Sequence, residues 1–309
     1  MDPTTLQVDP QRIRSCVEEL AAGPRHSLHA PGQHARAVEH IANSFHDAGL
    51  EVGHQAFDGA GRRGINLIGH KAGSHPSLPP LLVTAHYDTV ADSPGADDNA
   101  SAVAALLEIG HMLARVAVQR SVELVAFDME EVQPDGSSLV GSNAYVSATE
   151  RVKPCLGVYN LEMIGYTSGP DGQHYPPGFG MMFPRVFRQV QARDFRGDFL
   201  AVVARRQDKA LGSRLKEAAT QWAPQLDVVL IEMPGYLPVL PDFRRSDHAS
   251  FWAAGIPAVM VTDTANFRNP HYHQQGDTAA TLDFDFLCRV TQAMVGAIAA
   301  MCEASVETC

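Results

Sequence analysis

The chain has 309 residues, few cysteines and little positive charge. Its five cysteines, at positions 16, 155, 288, 302 and 309, are widely spaced and form no CxxC pair. The odd count and wide spacing predict free thiols in a reducing compartment, and no pair has metal-ligand spacing. The 24 Lys and Arg against 35 Asp and Glu give a net charge of -11. This charge argues against nucleic acid or an anionic membrane as a partner, because both are bound through basic patches.

Long apolar runs are also lacking. No uncharged apolar segment reaches the length of a bilayer span, and the N-terminal segment lacks the basic start and apolar core of a signal peptide. We therefore expect a cytoplasmic protein with no membrane partner, while a secreted chain whose signal had been removed would look the same. No internal repeat or low-complexity tract stands out, and the sequence leaves the oligomeric state unknown.

Apolar strands and helices alternate along the chain. The patterns predict strands over 51–57, 65–70, 81–85, 122–127, 155–161, 199–204, 228–231 and 258–262, and helices over 9–22, 32–48, 99–116, 138–149, 209–222, 247–254 and 284–302. Continuous Val, Leu and Ile runs predict a largely parallel sheet covered by helices on both faces. We expect one α/β/α sandwich that spans residues 1–309, with a mixed, mostly parallel central sheet flanked by helices.

Polar side chains follow several of the predicted strands. His86 and Asp88 come directly after the strand at 81–85, and a loop then delivers Asp97, Asp98 and Asn99 to the next helix. Four further segments repeat this pattern: Glu130-Glu131, Glu162, Ser246-Asp247-His248, and His271 with His273. Ligands bind at the carboxyl ends of strands in open α/β sheets, and imidazole with carboxylate is a ligand set that suits zinc.

Each segment taken alone also has an ordinary structural explanation. The Asp97-Asp98-Asn99 run could cap a helix, the Glu pair could be solvated surface, and the histidines near position 271 could be exposed loop residues. Their common position at one end of the strands favours chemistry instead. An adjacent Glu pair fits a division of labour, in which one carboxylate binds metal and its neighbour takes a proton from water.

Together these segments resemble the co-catalytic di-zinc aminopeptidase family. That family includes vacuolar aminopeptidase Y, bacterial leucyl aminopeptidases and glutamate carboxypeptidase II, and glutaminyl cyclase is a more distant relative. The resemblance is carried in order by AHYDT, GADDNASA, MEE, NLEMIG, SDHASF and NPHYHQQGDT, between residues 85 and 278. It implies a phosphorylase/hydrolase-like zinc-peptidase fold and the hydrolysis of peptide (amide) bonds. Two Zn²⁺ ions, or other divalent metals, would be the cofactors, and a peptide or amino-acid amide the substrate.

The resemblance also implies which residues would hold the metals: His86, Asp98, Glu131, Glu162 and His273. Asp98 would bridge, with His86 and Glu162 on one metal and Glu131 and His273 on the other. The family bridges through the Asp of its D-x-x-S segment, which selects Asp98 over its neighbour at 97. The family ligand is the His of Tyr-His, which selects His273 over the histidine at 271.

Three further roles are implied by the same resemblance. Glu130 would be the general base, Asp88 would orient His86, and Asp247 would support the site from behind. Two positions depart from the family pattern. Glu162 stands where Asp is usual, which could shift a metal or its ligation, and Ala102 stands where Gly is usual.

Substrate choice is the part that the sequence leaves open. Two loops rich in Pro and Gly, over 166–183 and 234–245, both follow strands and could border one cleft. Candidate substrate contacts in the second loop are Tyr236, Phe243, Arg244 and Arg245, and each could equally serve only to fold the loop. Arginines that bind a carboxylate would favour a dipeptidase or carboxypeptidase over an aminopeptidase.

Two other classes of function also remain as alternatives. A glutaminyl-cyclase-type acyltransferase would use one metal, and the presence of both His86 and His273 argues against it. A catalytically silent binding protein is the other alternative. Such relatives lose ligands or the base, whereas Glu130 and Glu131 are present here.

Overall fold

The computed structural model describes residues 3–148, 154–233 and 241–306. The helices are α1 (Pro10–Leu20), α2 (Pro31–Asp47), α3 (Ala102–Leu113), α4 (Val140–Ala148), α5 (Phe179–Met182), α6 (Pro184–Gln191), α7 (Lys209–Trp222), α8 (His248–Ala253) and α9 (Phe284–Met301). The strands are β1 (Glu51–Gly59), β2 (Arg62–Lys71), β3 (Leu81–His86), β4 (Val116–Ala117), β5 (Val122–Phe127), β6 (Gly157–Glu162), β7 (Phe199–Arg205), β8 (Asp227–Met233), β9 (Ala258–Thr262) and β10 (Ser305–Val306).

Eight of the described strands form one mixed sheet in the order β1-β2-β5-β3-β6-β9-β7-β8. The central strands β5, β3, β6 and β9 run parallel to one another. The hairpin β1-β2 joins this centre antiparallel through β5, and the parallel pair β7-β8 joins it antiparallel through β9. The four central strands therefore present their carboxyl ends at one edge of the sheet, as the sequence predicts.

Alternating side chains of the strands build an apolar layer on each face of the sheet. In β3, Leu81, Val83 and Ala85 pack into the layer that contains α1, α2, α3, α7 and α9. Leu82 packs into the opposite layer with residues of α4, α5, α6 and α8. Each buried Leu or Val contributes about 1.5–3 kcal/mol, so the central strands are held firmly and their ends form a rigid platform.

The predicted α/β sandwich is confirmed, and most predicted elements lie within a few residues of the observed ones. The main difference is the helix predicted to start at Asn99. Residues 96–101 form a π-helical turn with a cis peptide between Asp98 and Asn99, and regular α3 begins at Ala102. Asp98 (φ -103°, ψ 84°) and Asn99 (φ -136°, ψ 35°) have non-helical dihedral angles, which the local pattern does not reveal. The sequence pattern does not predict helices α5 and α6 or the two-residue strands β4 and β10, and α5 lies within the segment predicted to be a loop.

Helix α9 is long and apolar enough to cross a membrane, judged by its length and composition alone. Of its 18-residue window, 72% is buried inside the protein. The helix packs against α7, α3 and α1 in the first apolar layer. Its hydropathy is therefore accounted for by contacts within the fold.

Candidate metal centre

Six side chains predicted from the sequence converge at the carboxyl ends of the parallel strands: His86, Asp98, Glu130, Glu131, Glu162 and His273. His86 ends β3 and Glu162 ends β6, and the Glu pair lies in the loop that follows β5. Asp98 lies in the π-helical turn before α3, and His273 lies in the loop after β9. Parallel strand order therefore brings together side chains that are far apart in sequence.

The donor atoms form two groups, and the atoms of each group lie within 4.8 Å of one another. One group comprises His86, Glu130 and Glu162, and the other comprises Asp98, Glu131 and His273. His86 Nε2 lies 3.6 Å from Glu162 Oε2, and His273 Nε2 lies 3.2 Å from Glu131 Oε2.

Asp98 lies between the two groups. Its Oδ1 is 3.2 Å from His86 Nε2, and its Oδ2 is 3.2 Å from His273 Nε2. A carboxylate that directs one oxygen toward each imidazole has the geometry of a bridging ligand. The structure thus brings together the residues from which the sequence predicts two metal sites.

The donor set fits divalent cations. Both ring nitrogens of His86 are buried, and neither has a hydrogen-bond partner in the part of the chain that the structure describes; the side chain is 1% exposed. Four carboxylates, those of Asp98, Glu130, Glu131 and Glu162, are buried with it. Buried carboxylates are costly unless positive charge compensates them, and imidazole with carboxylate is a donor set that zinc accepts.

Burial also changes the protonation of these groups in the metal-free protein. Burial and the neighbouring Asp98 charge raise the pKa of Glu131 to about 7. Burial, with the charges of Glu162 and Glu131, raises the pKa of Glu130 well above its ordinary value, despite the opposing effect of His86. Burial lowers the pKa of His273, but hydrogen bonds to Asp98 and Glu131 outweigh it and raise the pKa to about 10. Cation binding would displace these protons, so metal affinity should depend on pH.

Asp88 has more partners than the sequence predicts. Its Oδ1 approaches His86 Nδ1 to 3.5 Å, without the geometry of a hydrogen bond. The same oxygen accepts the backbone N–H of Glu130 at 3.0 Å, and Oδ2 accepts that of Glu131 at 3.2 Å. Asp88 therefore fixes the backbone of the Glu pair in addition to adjoining the histidine.

Asp277 holds the backbone of Asp97 and Asp98, a role that the sequence motifs do not predict. Its Oδ1 accepts the N–H of Asp97 at 2.9 Å, and its Oδ2 accepts the N–H of Asp98 at 3.1 Å. The one sequence feature that points to Asp277 is its place in the last of the quoted motifs, NPHYHQQGDT. Asp97 itself faces away from the donor groups and accepts hydrogen bonds from Gly165 N and Asn269 Nδ2. The structure thus gives the two neighbours different surroundings: the Asp97 carboxylate binds Gly165 and Asn269, whereas the Asp98 carboxylate faces His86 and His273.

The carboxylate of Glu162, at the position where the resemblance leads one to expect Asp, is held by a hydrogen bond from Ser246. Ser246 Oγ donates to Glu162 Oε2 at 2.6 Å, and Asn160 Nδ2 donates to Ser246 Oγ at 2.7 Å. Asn160 in turn accepts from Thr84 Oγ1 at 2.7 Å. This chain of hydrogen bonds limits the freedom that the extra methylene would otherwise give the carboxylate.

Asp247 is fully buried near the charges of His86, Glu162 and Asp88. Neither of its carboxylate oxygens has a hydrogen-bond partner among the described residues. Burial raises its pKa to about 7, although the nearby His86 opposes the shift. Asp247 is therefore a buried carboxylate close to the charges of the donor residues, and its supporting role stays a prediction.

A cavity of about 660 Å³ opens beside the donor groups. Both predicted loops border it, the first through residues 173–179 and the second through residues 241–245. Its apolar wall includes Phe179, Val190, Phe199, Phe243 and Met260. Arg244 and Arg245 also line it, while Tyr236 lies outside the described residues.

The sequence matches one family model and several curated proteins. A model described as Peptidase family M28 matches residues 66–298. The Escherichia coli protein named Uncharacterized protein YfbL is 36% identical over 271 residues, which cover 84% of this chain and 78% of that protein. Aminopeptidase YwaD of Bacillus subtilis is 36% identical over 103 residues, or 32% of this chain and 22% of that one. A probable zinc metalloprotease of Pyricularia oryzae is 25% identical over 334 residues, and the match covers 94% of this chain but 64% of the relative.

Solved structures share the fold at low sequence identity. The aminopeptidase from Aneurinibacillus sp. strain AM-1 superposes with a TM-score of 0.72 at 16% identity, over 99% of this chain and 96% of that one. The glutaminyl cyclase of Porphyromonas gingivalis superposes with a TM-score of 0.70 at 17% identity, over 95% and 99%. At such identities these structures show the fold alone.

Proposed function

This chain belongs to peptidase family M28 and is a metallopeptidase, and we propose that it is a zinc-dependent aminopeptidase with a two-metal centre. One observation carries the proposal: Asp98 directs one oxygen to each of two donor groups, beside an adjacent Glu pair. The relatives named as zinc metalloproteases and aminopeptidases support the same reaction.

The donor chemistry supports one metal held by His86, Asp98 and Glu162, and a second held by Asp98, Glu131 and His273. When bound, such ions would polarise the scissile carbonyl and stabilise the developing oxyanion. His86 is rigid at a strand end, while His273 is presented from a loop and is 30% exposed. The second ligand set therefore depends more on loop contacts than the first.

Glu130 is the proposed general base. Its carboxylate lines the cavity, and its Oε2 lies 4.0 Å from His86 Nε2. It would take the proton of the attacking water and pass it to the nitrogen of the leaving amine as the C–N bond breaks. The hydrogen bond from its backbone N–H to Asp88 fixes the position from which it acts.

The cavity supports a substrate with a free amine and an apolar first residue. The cluster of buried carboxylates suits a cationic α-amine. The adjoining wall of Phe179, Val190, Phe199, Phe243 and Met260 suits an apolar side chain. The carboxylate cluster favours an aminopeptidase over enzymes that act on N-blocked substrates, and the apolar wall bears on the side chain of the first residue.

The test compares wild type, Glu130→Gln and the exposed control Glu232→Gln on aminoacyl anilides and N-blocked dipeptides. We expect chelator-sensitive cleavage of free-amine substrates by wild type and control. Glu130→Gln should lose at least about 100-fold in kcat while it retains its metal content. Full activity of Glu130→Gln would overturn the base assignment. Cleavage of blocked substrates only would overturn the aminopeptidase assignment, and cyclisation of N-terminal glutamine with one metal per chain would replace it with the cyclase alternative.

A further inference from the structure

We propose that Arg245 is a positioning residue that acts through Tyr272 on His273, and thereby strengthens metal binding at the site that His273 serves. The proposal rests on the two-metal function proposed above. It assigns Arg245 a structural partner at the metal centre in place of a contact with substrate.

The imidazole of His273 is held by its backbone turn and by the preceding tyrosine. His273 lies in a turn after β9 with φ 59°, in the left-handed region that residues other than glycine seldom adopt. Its Nε2 faces Asp98 and Glu131, both at 3.2 Å. Tyr272 stacks on the imidazole, with 3.8 Å between ring centroids and 21° between the planes. Because the imidazole lies on a turn, the tyrosine ring supplies a wall that limits its rotation.

Arg245 holds that tyrosine ring in turn. Its Nη2 donates to the Tyr272 hydroxyl at 2.6 Å, and the guanidinium carbon lies 5.4 Å from the ring centroid. Its Nη1 donates to Asn266 Oδ1 at 3.1 Å and to Asp242 Oδ1 at 3.3 Å. One guanidinium therefore ties the segment at 242–245 to Asn266 and to the turn that carries the metal ligand.

These contacts reduce the capacity of Arg245 to recognise a substrate carboxylate. Three of its five N–H groups donate to protein oxygens, two from Nη1 and one from Nη2, and Asp242 partly neutralises the charge. An ion pair as exposed as Arg245–Asp242 contributes little to stability by itself. Outer contacts that orient a metal-binding histidine matter more, since their loss commonly weakens metal affinity by about 10–100-fold.

The experiment is a Zn²⁺ titration of metal-free protein against a chromophoric chelator, for wild type, Arg245→Ala, Tyr272→Phe and the double variant. Arg214→Ala is the matched control, because Arg214 is exposed and also pairs with one carboxylate, Glu217. We expect Arg245→Ala to weaken one of the two Zn²⁺ affinities by about tenfold and leave the other unchanged. Tyr272→Phe should do the same, and the double variant should be no weaker than either single variant.

Two results would overturn the proposal. One is wild-type Zn²⁺ affinity in Arg245→Ala, and the other is an additive loss in the double variant, which would mean that Arg245 does not act through Tyr272. A rise in KM confined to peptides with a free C-terminal carboxylate, with both affinities unchanged, would identify a substrate contact instead. If wild type itself binds fewer than two Zn²⁺ ions, the proposed two-metal function fails as well, so the two failures are distinguishable. Thermal melting of the metal-free variants shows whether each one is folded.

Discussion

His248 is a buried titratable residue outside the donor groups. It is fully buried at the start of α8, and its Nε2–H donates to the Phe243 carbonyl at 2.9 Å. Its Nδ1 has no hydrogen-bond partner among residues 3–148, 154–233 and 241–306, and its ring packs edge-on against Trp252 at 4.5 Å. Burial lowers the pKa of His248 to about 4, with smaller effects from Arg244 and Arg205 in the same direction. The folded protein therefore holds this histidine neutral.

A pH dependence of stability follows from this shift. Since the folded pKa is about 4 and the unfolded value is about 6.5, the unfolded chain takes up the proton first as pH falls. Stability should decline between those two values, by about 2 kcal/mol from pH 7.5 to pH 5. His248→Gln, which can still donate to Phe243, should lose that part of the decline in urea unfolding. The exposed control His46→Gln should keep it, and equal pH slopes in all three proteins would refute the assignment.

Among single residues, short motifs predict the side chains that the structure brings together better than the residues that support them. His86, Asp98, Glu131, Glu162 and His273 each lie in such a motif, and their role as metal ligands stays a prediction. Asp277 and the second role of Asp88 are not predicted, since each depends on hydrogen bonds to backbone amides far along the chain. Spacing predicts side-chain chemistry at a strand end, but it contains no information on which distant carboxylate accepts a given N–H.

Among the structural elements, the loop at 87–98 depends on one buried cation. Arg25 is fully buried and donates to four backbone carbonyls, those of Tyr87, Leu20, Pro94 and Gly95, at 2.7–2.9 Å. Burial lowers its pKa to about 10, so it remains charged at neutral pH. Gly95 has φ 62°, and a Cβ there would lie 2.2 Å from the Asp98 carbonyl oxygen. This loop carries two of the proposed site residues, so its anchor supports the metal centre.

Removal of that anchor should therefore affect both folding and metal binding. Arg25→Met leaves buried carbonyls without donors, and we expect the free energy of unfolding to fall by about 2–5 kcal/mol. Metal affinity should fall with it, because the anchored Gly95 carbonyl lies in the same turn as Asp98. Urea unfolding of the metal-free protein measures the first effect, with the exposed Arg36→Met as control. An unchanged unfolding midpoint for Arg25→Met would show that the loop is held by other contacts.

The elements themselves were predicted where local pattern and packing agree. The strand at 122–127 and the helix at 209–222 match the structure residue for residue. Helix α6 was missed because it has only eight residues, and helices this short are stable through packing rather than through their own sequence. Helix α3 begins at Ala102 instead of the predicted Asn99 because Asp277, remote in sequence, accepts hydrogen bonds from the amides of the preceding turn.

For the whole molecule, the sheet explains why distant motifs form one site. The parallel strands β5, β3 and β6 each end at the same edge, and the two apolar layers hold those ends in place. Residues between 173 and 179 and residues 241–245 then border the adjoining cavity, as the positions of the two loops after strands suggest. Strand order could not be read from the sequence, since periodicity does not specify which strands are neighbours.

A two-metal centre bridged by Asp98 can be seen by anomalous diffraction at the zinc absorption edge, from crystals of wild-type protein grown with Zn²⁺. We predict two peaks about 3.5–4 Å apart, one beside His86 and Glu162 and one beside Glu131 and His273, with an Asp98 oxygen at each. A single peak, or two peaks without an Asp98 oxygen at each, would rule out a two-metal centre bridged by Asp98.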